Sequence, residues 1–155
     1  ETLFEIVKYL GKFHPLVLHL PIGSLLMTFL LVVISKLQKS SLEKAIRIGV
    51  DFSFFGALTT TILGYFLSLN DTYGIENLKP HLFAGLITLF LTFSLCISHR
   101  LQGKENLFIS LFVMTLIALS ITGHKGVLLR FAHKIPTDEF VGSVSTAEFP
   151  DRYER

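Results

Sequence analysis

Phe13-His14-Pro15-Leu16-Val17-Leu18-His19-Leu20-Pro21-Ile22-Gly23 opens a stretch of chain that carries no charged residue from Leu16 to Ser35. A bilayer core is crossed by about 20 consecutive apolar residues in a helix, so this stretch reads as a membrane span. Three more runs of the same kind follow: about Ile48 to Leu69 with Asp51 as its only charge, about Leu82 to Ser98, and about Leu107 to Gly123. Backbone polar groups inside hydrocarbon must be satisfied within the segment, which leaves helices as the economical solution for four separate apolar runs. The sequence therefore predicts an all-α, integral membrane four-helix bundle over residues 1–133. Residues 134–155 read as an extended polar arm, too short for a core of its own.

Composition agrees. Of 155 residues 50% are hydrophobic, 15 are phenylalanine, and the mean hydropathy is +0.58, which is too apolar for an ordinary soluble domain. A formal charge of +2, with no basic stripe, is too small to argue for nucleic acid, and no nucleic-acid partner is expected. The single cysteine, Cys96, lies inside the third run, so no intrachain disulfide can form, and the absence of Cys-x-x-Cys-His rules out covalent haem attachment. Ahead of the first span, Leu3, Phe4, Val7 and Leu10 share one helical stripe. This N-terminal segment is expected to be a short amphipathic helix, lying either in the interface or against the bundle.

Charge between the spans gives an orientation. Lys36, Lys39, Lys44 and Arg47 crowd the first connection and Arg100 and Lys104 the third, whereas the second holds Asp71, Glu76 and only Lys79. Short Lys- and Arg-rich loops stay in the cytoplasm. The expected location is a bacterial inner membrane, crossed several times, with both termini periplasmic.

Five of the six histidines then fall at the periplasmic end: His14 and His19 at the start of span one, His81 at the start of span three, His124 at the end of span four, and His133 beyond it. Imidazoles converging from several helices are a common way for a bundle to hold haem or a metal ion. Small residues accompany them. Gly23 stands four after His19 and Gly85 four after His81, each on the histidine's own helical face. Gly123 and Gly126 bracket His124, and Gly56 and Gly64 open space on span two. His14 and His19 are five apart and point about 140° away from each other on a regular helix, so they are poorly placed to serve one metal atom together: either they serve two centres, or one is a ligand and the other a supporting or surface group. His19, the deeper of the two, is the stronger candidate, with His81 and His124 completing the pairings. Arg130, with Lys125 and Lys134, lies where haem propionates would emerge. Asp51 reads either as a proton-relay group or as an ion-paired residue near a helix start. Thr59, Thr60, Thr61, Thr88 and Thr92 are expected to bond to their own helix backbone. No nucleophile–base triad, phosphate loop or acidic pair is present.

The segment His14 to Gly23 also resembles the opening of a family of bacterial four-span membrane proteins. Their first helix carries His-Pro-x-x-x-His-x-Pro-Ile, a later helix begins with His, and the fourth ends in a Gly-His-x-Gly type turn. The resemblance covers about residues 10 to 130 and carries over His14, His19, Pro21, His81, Gly123, His124 and Gly126; Val127 departs from the family's second glycine. Some members are fused to a cytochrome c domain, which implies electron transfer with a partner that here would be a separate chain.

The leading expectation is a haem b-binding membrane subunit that transfers electrons near the periplasmic face within a larger membrane complex. Its cofactor-binding set would be His14, His19, His81, His124, Gly23, Gly85 and Arg130. Its partners would be membrane lipid and other membrane or periplasmic subunits, a cytochrome c among them. It would act as an electron carrier or accessory subunit rather than as an independent enzyme. Two alternatives stand beside it: a cofactor-free integral assembly subunit, and a Zn or Cu site held by His14, His19, His81 and His124.

Overall fold

A computed structural model describes residues 2–69, 75–101 and 105–132, without the side chains of 75–77 and 130–132. The expected arm at 134–155, His133 and the side chain of Arg130 lie outside the described residues. Within them the chain is helical: α1 (Thr2–Gly11), α2 (His14–Val17), α3 (His19–Gln38), α4 (Glu43–Ser68), α5 (Ile75–Arg100) and α6 (Glu105–Ala132). Four helical stretches are long and apolar enough to cross a membrane, the first of them built from α1, α2 and α3 in succession.

The interruptions in that first stretch follow its prolines. Pro15 has no N–H to offer the Gly11 carbonyl, and Pro21 has none for Val17; each ring also crowds the carbonyl four residues back. The helix accordingly breaks between Gly11 and His14 and again at Leu18. Pro21 falls in the first turn of α3, where the missing donor costs no intrahelical bond. Gly11 is buried against α4, and a Cβ there would strike the backbone of Leu67. The amphipathic α1 thus packs on the bundle while Leu3, Phe4 and Ile6 remain exposed.

Consecutive long helices pack against each other, α3 on α4, α4 on α5 and α5 on α6, while α3 and α6 meet only lightly. The two halves of the bundle are filled differently. Large side chains (Leu25, Ile46, Val50, Leu95, Phe108 and Phe112, with Cys96) form the buried core toward the end opposite the histidines. Toward the histidine end the buried positions are Pro21, Ala57, Thr60, Thr88 and Thr122. Small residues let helices approach closely where no hydrophobic force drives them together. Pro21 lies on Gly56, and a Cβ at Gly56 would stand 3.2 Å from its ring. Two hydroxyl pairs join helices: Ser24 with Ser53 at 2.7 Å and Thr88 with Thr122 at 2.9 Å.

Asp51 is ion-paired. Arg100 donates to both its carboxylate oxygens, at 2.7 and 2.9 Å, and donates again to the Cys96 carbonyl at 2.7 Å. Thr59, Thr60, Thr61, Thr88 and Thr92 each donate to a carbonyl one turn back in their own helix. Lys36 of α3 pairs with Glu105 of α6, closing the end away from the histidines. The outward apolar side chains, Phe52, Phe55, Phe83 and Phe90 among them, form the lipid-facing surface of a multi-pass membrane protein.

Candidate functional site

His14 and His81 lie side by side, one ring edge-on to the other. Their ring centroids are 6.4 Å apart and the ring planes cross at 89°. The two rings are held in the same way by different halves of the molecule. His14, from α2, places Nδ1 at 2.8 Å from the Thr60 carbonyl of α4. His81, from α5, places Nδ1 at 3.2 Å from the Thr122 carbonyl of α6. A carbonyl only accepts, so in both bonds Nδ1 carries the hydrogen and donates. A neutral ring so bonded is held in one tautomer, and among the described residues neither Nε2 makes a hydrogen bond.

One helical turn beyond each accepting residue is a glycine. A Cβ on Gly64 would come within 2.9 Å of the His14 ring, and one on Gly126 within 3.0 Å of the His81 ring. Thr60 and Thr122 in turn direct their hydroxyls to Gly56 and Ala118, one turn back, at 2.8 Å each. The two half-sites therefore repeat a pattern: small residue, Thr and Gly at four-residue steps on the receiving helix, and a His beside a Pro on the donating helix. In sequence the repeat shows as a His–Pro pair in one half, His14-Pro15, and a Pro–His pair in the other, Pro80-His81. The signal was present in Gly56, Thr60 and Gly64 against Ala118, Thr122 and Gly126.

The other histidines stand apart. His19 is exposed and turns back on its own chain, donating from Nδ1 to the Pro15 carbonyl at 2.8 Å, with the Leu16 carbonyl at 3.4 Å. It satisfies the carbonyls loosened by the break between α2 and α3. His124 is exposed, with no hydrogen-bond partner among the described residues. Among the described residues no group of three or more histidine, cysteine or acidic side chains is gathered to hold a metal ion. His99, at the far end, packs edge-on against Phe108 with centroids 5.0 Å apart.

Of the glycines marked in the sequence, Gly23, Gly85 and Gly123 have open space where a Cβ would project. Gly85 is one turn along α5 from His81. Gly126, expected to make room beside His124, instead makes room for His81. Tyr65 is exposed and belongs with the outward aromatic residues.

No family model matches the chain, and no curated protein or solved structure matches it. What can be said of its class comes from its own geometry. It is a helical membrane protein with a pair of tautomer-fixed imidazoles held near one end of the bundle.

Proposed function

We propose that the chain is a haem b-binding membrane subunit, in which His14 and His81 would hold the iron, and that it passes electrons at its histidine end within a larger complex. The observation that supports this most is the crossed pair of rings with both Nδ1–H groups tied to backbone carbonyls. A metal-ligating histidine ordinarily donates its other ring N–H to such a carbonyl, which orients the ring and leaves Nε2 for the metal. The spacing is compatible with this: with an imidazole nitrogen about 2.0–2.1 Å from a metal, two rings that hold one atom have centres about 6 Å apart, against 6.4 Å here. Two ligands suit haem, whose macrocycle supplies four nitrogens of its own, better than Zn²⁺, which takes about four ligands from protein and water.

When bound, haem would supply a one-electron iron couple. The chain's own residues would set its environment. Thr60 and Thr122 hold the tautomers, Gly64 and Gly126 keep the ring edges clear, and Gly85 leaves a helix face without a side chain beside His81. The basic first and third connections support a bacterial inner-membrane setting with the histidine end periplasmic. A cytochrome c or another periplasmic subunit would then be the natural electron partner. A haem-to-protein ratio on the purified full chain from haem-replete cells tests the reading, with about one haem per chain expected for one pair of axial ligands.

A cofactor-free reading has one observation in its favour. Each Nδ1 bond by itself already clamps two helices, and a buried imidazole donor is thereby satisfied. Protein that is fully folded and pigment-free after haem-replete expression would make the chain an assembly subunit of this kind.

A further inference from the structure

At the end of the bundle away from the histidines, a cavity of about 730 Å³ opens among α3, α4, α5 and α6. Its walls are of two kinds. Val32, Ile46, Phe108 and Ile109 supply an apolar side, while Arg47 and His99 supply polar groups. The remaining cations are already engaged: Lys36 with Glu105, and Arg100 with Asp51. Arg47 has no ion pair or hydrogen bond among the described residues, although Glu43 lines the same cavity. The ring of His99 lies against Phe108 and its nitrogens have no hydrogen-bond partner among the described residues.

The cavity sits where Gln38 ends α3, Glu43 begins α4, Arg100 ends α5 and Glu105 begins α6. Those ends mark the depth at which spans pass from hydrocarbon to headgroups. An unpaired guanidinium at that depth, above apolar walls between transmembrane helices, has the form of a phospholipid headgroup site. Guanidinium is well suited to phosphate because its planar fork matches two oxygens at once.

We propose that this cavity binds the phosphate of an anionic phospholipid, with Arg47 as its principal partner, His99 beside it, and an acyl chain along Val32, Ile46 and Ile109. The site is independent of the cofactor reading, since it shares no residue with the histidine pair.

Native mass spectrometry of the purified full chain, released from micelles doped with phosphatidylglycerol, with phosphatidylcholine, or with inorganic phosphate alone, tests the proposal. Phosphatidylglycerol should be retained in preference to phosphatidylcholine, and Arg47→Gln should lower its retention about fivefold, the worth of one cation near a membrane surface. Lys44→Gln, which removes an exposed cation from the same helix without touching the cavity lining, should leave retention unchanged. Circular dichroism of each variant verifies the helical fold. Equal retention of the two lipids, or an Arg47→Gln variant that retains phosphatidylglycerol like the parent, would overturn the proposal. So would Arg47-dependent binding of inorganic phosphate with no preference between the lipids, because the site would then be one for free phosphate.

Discussion

A histidine ring at the edge of a membrane bundle has two nitrogens to satisfy, and the residue type alone does not say how. His14 and His19 are near neighbours in sequence, yet they resolve this differently. His14 reaches across to the Thr60 carbonyl, whereas His19 folds back onto the carbonyls released by the proline break. Depth in the sequence favours His19 as a ligand, whereas in the structure it is His14 whose ring lies beside that of His81. Gly64 and Gly126 matter for the same reason, because each lies against an imidazole edge. Gly64→Ala should cost about 1 kcal/mol, since the His14 ring must swing aside and loosen its bond to the Thr60 carbonyl. If haem is bound, that swing should shift the Soret band or reduce haem occupancy. A Gly64→Ala protein with an unaltered spectrum and full occupancy would remove His14 from the ligand set. His124→Ala, at an exposed ring without a partner, should leave occupancy unchanged.

Among the helices, α4 holds the bundle together through small residues. Gly49 lies so close to Thr28 that any Cβ would collide with its hydroxyl, and Gly56 carries Pro21. Gly49→Val should therefore separate α3 from α4 and destabilise the protein by about 1–3 kcal/mol, as overpacking commonly does. A thermal unfolding midpoint in micelles equal to that of the parent would contradict this packing. The Asp51–Arg100 pair joins α4 to α5 with both partners partly exposed, at 30% and 43% of their side chains. Asp51→Asn should cost about 1–2 kcal/mol, less than for a fully buried pair because solvent screens what remains. An Asp51→Asn variant that is fully stable but impaired in proton uptake would instead revive the relay role. The helices and their approximate limits were legible because apolar runs and prolines leave a direct trace in sequence. The half-site repeat was not, because its accepting groups are backbone carbonyls that no residue type encodes. The separation from His to Thr also differs between the halves, 46 positions in one and 41 in the other.

Taken as a whole molecule, the chain buries large apolar side chains toward one end and small residues, threonines and two imidazoles toward the other. The orientation expected from its basic connections is open to a direct test. In a Cys96→Ser background, an impermeant thiol reagent applied to intact cells should label Thr2→Cys and spare Ser41→Cys; labelling of Ser41→Cys alone would reverse the topology. The four spans were readable from hydropathy. The convergence of His14 with His81, rather than of His19 with His81 and His124, depends on how α2 is offset from α3, and only the packed structure fixes that offset. The most direct test of the central claim is the oxidised and dithionite-reduced absorption spectrum of the purified full chain beside His14→Ala, His81→Ala and His19→Ala. The account predicts Soret and α bands in the parent and in His19→Ala, and their loss or marked shift in both His14→Ala and His81→Ala. Bands that survive both of those substitutions, or a parent protein without a Soret band after haem-replete expression, would contradict it.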